Sequence, residues 1–245
     1  MKKNIVRNWG YVGPTDKYGD LHITEGQCFA GFIAGILVPD DKTEKRIGNI
    51  ANARSFPFPV RYAVVKSIGN PNAAENEIVK EITEKAEQLE LEGCRFITSS
   101  GGAFGKYQKV ASAAVDLPVY LTALQQLRWI KIGLKSSENV LILSDLPQEK
   151  AIEVFEICGI DKEVYNDCVF VQTDPAVMDP QEVLKYLKDD VIEQNSVKAV
   201  LLDTELFSAL PTSVKSYLDL NVWDIHKLMG YVSRAVCQHP RTGFI

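Results

Sequence analysis

The 245-residue chain has no basic excess: Lys+Arg 27 stand against Asp+Glu 32, a formal net charge of −5. A nucleic-acid binder usually carries a basic surplus or stripe, so nucleic acid is not an expected partner. Long hydrophobic runs are missing too. The most apolar stretch, Phe29 to Pro39, is too short to span a bilayer, and no apolar core of signal-peptide length follows the basic start at Met1–Asn8. No membrane partner is expected. The three histidines, His22, His226 and His239, show no metal-ligand spacing with the cysteines. Those cysteines (Cys28, Cys94, Cys158, Cys168 and Cys237) are odd in number and hold no CxxC pair. They predict reduced thiols in a cytoplasm, each by default a small buried hydrophobe. No G-x-G-x-x-G follows an apolar run. A phosphate loop fails as well, because Tyr107 follows Gly105-Lys106 and Ser100 stands where the leading Gly belongs. Neither metal nor cofactor is expected.

What is present reads as an α/β protein. With 46% hydrophobic and 24% charged residues, the chain can build an ordinary globular core. Strand-length apolar runs lie at Gly31–Val38, Val60–Ile68, Arg95–Ser99, Val119–Thr122, Val140–Ser144, Cys168–Gln172, Ala199–Leu202 and Val222–Trp223. Between them fall helical patterns at Ala73–Glu92, Leu124–Gly133, Gln148–Cys158, Pro180–Gln194 and Ile225–Cys237, with Asn72 and Asp179 as expected helix starts. The β-α rhythm predicts parallel sheets covered by helices. It runs twice, with no Gly/Ser-rich linker between. The expected architecture is two pseudo-symmetric lobes, each a parallel sheet flanked by helices, with a cleft between them. Residues 1–124 plus 223–245 are assigned to the first lobe and 125–222 to the second.

In such sheets ligands bind outside the carboxyl ends of the strands. Two segments therefore stand out. Thr98-Ser99-Ser100-Gly101-Gly102-Ala103 could offer backbone N–H groups and hydroxyls to a small carboxylate, or could be a tight turn with Ser as a cap. Asp203-Thr204-Glu205 could cap a helix from Leu206 onward, or could bring Asp203 to a cleft with Thr204 donating to a substrate carboxylate. Glu205, Asp224 and His226 also lie at or just beyond strand ends, where a helix cap or an ordinary surface role is the plainer reading of Asp224 and His226. The charged run Asp40–Arg46 reads as a solvated loop or as a lid.

Several motifs, in order, resemble the aspartate/glutamate racemase superfamily, which includes hydantoin racemases, maleate isomerases and arylmalonate decarboxylases. They are Ile47-Gly48-Asn49-Ile50 with Ser55-Phe56-Pro57-Phe58-Pro59-Val60, and then Glu92-Gly93-Cys94-Arg95-Phe96-Ile97-Thr98-Ser99-Ser100. Leu117-Pro118-Val119 with Leu124-Gln125-Gln126-Leu127, Ala199–Thr204 and Val222-Trp223-Asp224 complete the set. The resemblance covers most of the chain and implies two α/β lobes with the active site between them. It implies a small carboxylate or amino-acid-like ligand, possible homo-oligomers, and substrate contacts from Ser55, Ser99, Ser100, Gly101, Gly102, Thr204 and Glu205.

In that family two cysteines on opposite faces of the substrate exchange its α-proton. By position they fall on Gly101 and Asp203, and neither is cysteine here. The resemblance then implies a one-base isomerase or lyase with Asp203 as acid/base, in place of two-thiol racemisation. A carboxylate is the weaker base, since ordinary pKa values are about 3.9 for Asp and about 8.5 for Cys, so burial would have to raise that of Asp203. The alternative is a non-catalytic carboxylate-binding or regulatory protein that has lost the chemistry.

Overall fold

The computed structural model describes residues 31–207 and 214–237. His22, Cys28, His239, the Met1–Asn8 start and part of the helix expected from Leu206 lie outside the described residues.

Two four-stranded parallel sheets form the frame. In the first, β1 (Ala34–Pro39), β2 (Val60–Val65), β3 (Phe96–Ser99) and β4 (Val119–Tyr120) stand in the order β2-β1-β3-β4. In the second, β5 (Asn139–Ser144), β6 (Val169–Gln172), β7 (Val197–Asp203) and β8 (Asn221–Trp223) stand in the order β6-β5-β7-β8. The identical order is the architectural repeat expected from the rhythm.

Each sheet is buried on both faces, which is why its strands read as continuous apolar runs. Leu37 of β1 faces a core with Ile82, Ala86 and Leu89 of α1 (Glu75–Leu91) and Ala111 of α2 (Gln108–Ala114). Its neighbours Ala34, Ile36 and Val38 face Leu228, Met229 and Val232 of α8 (Ile225–Val236), so the last helix returns to the first sheet. The second sheet is covered on one face by Leu127 and Ile130 of α3 (Leu127–Ile132) and Ala151, Val154 and Phe155 of α4 (Gln148–Ile157). Its other face packs against Leu184 of α6 (Pro180–Tyr186) and Val214 and Leu218 of α7 (Val214–Leu218). A short α5 (Lys162–Tyr165) precedes β6. Among the described residues no helix is long and apolar enough to cross a membrane.

Several boundaries differ from expectation by a few residues, three of them for evident local reasons. Asn72 lies in a turn, its N–H donating to Asn70 Oδ1 at 3.0 Å, and α1 starts at Glu75. β4 stops at Tyr120 because the Gln108 amide takes over the ladder, donating to Val119 O and accepting from Leu121 N, both at 2.9 Å. The run from Pro180 is α-helical only to Tyr186 and continues as a wider π-type turn over Leu187–Ile192, which keeps Leu187 and Val191 buried. Asp179 caps α6 as expected, accepting from Gln181 N and Glu182 N.

Candidate active site

The carboxyl ends of β3 and β4 meet those of β5 and β7 at Asp203, which bonds Thr122 and Ala123 after β4 and Ser144 of β5, with Gly101 after β3 beside it. Gly105, in the 3-10 turn Gly102–Tyr107 after β3, has room for only a hydrogen, since a Cβ there would lie 2.8 Å from Val154 of α4. That contact brings the lobes together beside a cleft of about 250 Å³. The lining of the cleft includes Asn49, Ser100, Gly101, Asp203, Glu205 and His226.

Asp203 closes β7 and is only 6% exposed. Its Oδ1 reaches across to the end of the first sheet, accepting from Thr122 Oγ1 at 2.9 Å and from the Ala123 amide at 3.2 Å. Ser144 Oγ, at the end of β5, donates to Oδ2 at 3.3 Å. Burial raises the Asp203 carboxyl from 3.8 to about 6; the bonds from Thr122, Ala123 and Ser144 pull it back and the charge of Asp145 pushes it further up. The result is an acid whose proton moves near neutral pH.

Gly101 faces this carboxylate. Its φ of +80° with ψ −156° belongs to a region that is essentially glycine-only, and a Cβ there would sit 3.3 Å from Asp203 Oδ1. The two positions that the motif resemblance pairs are therefore neighbours in space, one carrying an acid and the other no side chain.

The other expected contacts divide into two groups. Ser100, Thr204 and Glu205 line the cleft with Gly101 and Asp203. Ser99, Gly102 and Ser55 lie outside its lining. Ser99 is fully buried; its hydroxyl donates to Leu121 O at 2.5 Å and accepts from Gly101 N at 3.1 Å, so it holds the turn. Gly102, at φ +54°, continues the turn. The Ser55 hydroxyl accepts from Gly48 N at 2.9 Å and donates to Asn49 O at 2.8 Å, fixing the loop that carries Asn49.

Thr204 points its hydroxyl at Asp145 and accepts from Leu206 N at 3.1 Å. Glu205 reaches back across the cleft: Asn49 Nδ2 donates to its Oε2 at 2.8 Å and Lys45 Nζ lies 3.8 Å away. Lys45 also pairs with Asp41 at 3.0 Å. The run Asp40–Arg46 is thus exposed apart from Lys45, and Lys45 ties it to the second lobe. Asp224 caps α8, its Oδ1 accepting from Lys227 N at 2.8 Å. His226 lines the cleft, with Nε2 2.8 Å from Gly48 O and its ring stacked on Phe56; burial pushes its pKa down, toward the neutral imidazole.

Four residues with polar roles here carry no sequence expectation: Thr122, Ser144, Asp145 and Thr173. A signal existed for Ser144-Asp145, which ends β5 as Asp203 ends β7. The strand-end rule, applied to every strand, reaches them.

Comparisons with known proteins agree on the architecture. No protein-family model matches the chain. Its fold is that of aspartate/glutamate racemase and arylmalonate decarboxylase structures, which bears out at the level of fold the resemblance read from the motifs. An aspartate racemase homologue from Pyrococcus horikoshii matches with TM-score 0.51 at 12% identity, over 82% of this chain and 98% of that one. Unliganded arylmalonate decarboxylase matches with TM-score 0.51 at 12% identity, over 84% and 92%. Glutamate racemase from Francisella tularensis, in complex with D-glutamate, gives 0.52 at 12% identity, over 84% and 80%. In sequence, the chain is 26% identical over 138 residues to dimethylsulfoniopropionate lyase 7 of Emiliania huxleyi. That match spans 53% of this chain and 40% of the relative, well under half the relative's length.

Proposed function

We propose that this is a racemase-superfamily enzyme of the one-base kind, which moves a proton at the carbon α to a carboxylate in a small acid or amino-acid-like substrate. The observation that carries the reading is Asp203. It is a buried carboxyl raised to about 6, standing in the cleft of a racemase-type fold. At neutral pH it is mostly ionised and able to take a proton, yet it is a stronger base than an ordinary aspartate by roughly 3 kcal/mol, at about 1.36 kcal/mol per tenfold. Thr122, Ala123 and Ser144 orient it, and the Ser100–Gly101 turn lies beside it for binding carboxylate oxygens and the enolate-like charge that develops as the proton leaves.

Gly101 offers no group to protonate the opposite face. A single base suits elimination, isomerisation or decarboxylation better than racemisation. The match to a protein named as a lyase favours elimination. In that reaction the Cα–H electrons form the new double bond, the proton passes to Asp203, and a β-substituent leaves with its bonding pair. As written, the step draws on no cofactor, and the unpaired cysteines support a cytoplasmic setting.

A carboxylate-binding protein without turnover is the second reading. The close approach of Gly101 to Asp203 supports it, because it narrows the space where a reacting carbon would sit. Incubation with aspartate, glutamate and β-substituted propionates in deuterated water separates the two. The enzyme reading expects deuterium at the α-carbon or release of the β-substituent, lost in Asp203→Asn while ligand-induced thermal stabilisation remains. Stabilisation without either reaction supports the binding reading.

A further inference from the structure

A second acid lies behind the cleft. Asp145, directly after β5, is not part of the lining, yet four bonds tie it to the segment bearing Asp203 and to the end of β6. Its Oδ1 accepts from the Thr204 hydroxyl and lies 2.7 Å from Thr173 Oγ1, which in turn is 2.8 Å from Thr204 Oγ1. Its Oδ2 accepts from Glu205 N at 3.1 Å, and its own amide donates to Asp203 O at 3.3 Å. A residue whose carboxylate accepts from the hydroxyl of 204 and the amide of 205, and whose own amide donates to the carbonyl of 203, holds three consecutive residues in one conformation. Two of them, Asp203 and Glu205, carry the cross-cleft contacts to Thr122, Ala123 and Asn49.

We infer that Asp145 is the positioning residue for Asp203: through Thr204, Thr173 and the Glu205 amide it locks residues 203–205 so that the Asp203 carboxylate is held at the cleft. This rests on the reading of Asp203 as the acid/base. A plain loop anchor would serve as well with a neutral side chain. Asp145 is instead an acid beside an acid, and this sets the inference apart from packing. Its charge raises the Asp203 carboxyl, while its own carboxyl is raised by burial against the pull of Thr204, Thr173 and Glu205 N. The other ionisable groups around the pair are Asp174 beside Asp145 and Cys158 beside Asp203, with Glu205 next along the chain. The Asp145 charge thus adds to the larger effect of burial in raising the Asp203 carboxyl.

The test is a titration of side-chain carboxyl carbons by NMR in the full chain labelled at aspartate, with the Asp203 signal assigned by its loss in Asp203→Asn. In the native protein the Asp203 midpoint falls near 6. In Asp145→Asn it moves down by roughly half a pH unit or more, the direction set by removing a neighbouring negative charge. Thr204→Val strips the hydroxyl from Asp145 and favours its neutral form, so it shifts the midpoint the same way; Thr204→Ser keeps the hydroxyl and leaves it in place. Should Asp145→Asn fail to fold, the Val and Ser variants carry the test. A raised native midpoint that neither Asp145→Asn nor Thr204→Val moves overturns the role of Asp145 alone. A native midpoint near 4 overturns the reading of Asp203 as a tuned base.

Discussion

Ionising Asp203 inside the fold has a cost that stability measurements can read without any substrate. Raising a carboxyl from 3.8 to about 6 means that the folded protein binds this proton more tightly than the unfolded chain does. Stability from this group is therefore full below about pH 4, falls as pH rises toward 6, and stays reduced above. At about 1.36 kcal/mol per tenfold, the loss amounts to roughly 3 kcal/mol. Asp203→Asn imitates the protonated acid: its carbonyl can accept from Thr122 and Ala123, and its amide can donate to Ser144 Oγ. At pH 8 the variant should exceed the native protein by up to about 3 kcal/mol, or roughly 6–12 °C in Tm for a chain of this size. At pH 4 the two should coincide. Carboxyls held low by their partners, such as Glu92 beside Arg61 and Glu81 beside Ser67, weaken the fold as pH drops, but they act equally in both proteins. The difference between the two Tm curves thus isolates Asp203. A difference that is flat from pH 4 to 8, or that favours the native protein at pH 8, refutes the reasoning.

Two further outcomes follow from the same geometry. Gly101→Ala forces a side chain into a glycine-only conformation and sets a methyl 3.3 Å from Asp203 Oδ1, so chemical denaturation should show a loss of about 1–3 kcal/mol. Cys94 is 3% exposed and burial raises its thiol to about 12, so iodoacetamide at pH 8 should leave it unmodified in the native fold by peptide mass spectrometry and alkylate it in denaturant. Rapid native alkylation of Cys94 would contradict its burial in the first core.

The strands were legible because a sheet buried on both faces needs unbroken apolar runs, and such runs, Val140–Ser144 for one, contain little else. Their ends were less so. Nothing local in Leu121-Thr122 announces that a glutamine side chain from α2 replaces the next strand partner. At the site, Gly101 and Asp203 were readable from strand-end position and motif. Thr122 and Thr173 were not, because each meets its acidic partner 81 or 28 residues away. Thr204 shows the converse. Its place in the sequence suggested a donor to substrate, and the fold turns its hydroxyl to Asp145, a neighbour that only the pairing of β5 with β7 supplies.

The proposed mechanism turns on Asp203 carrying a proton to or from a substrate carbon. It is tested most directly by following small carboxylates and amino acids in deuterated water, with native protein and Asp203→Asn side by side. The native protein should show α-deuteration or β-substituent release, rising with pH through about 6 and absent from the variant, which still binds. Equal turnover by the variant contradicts it.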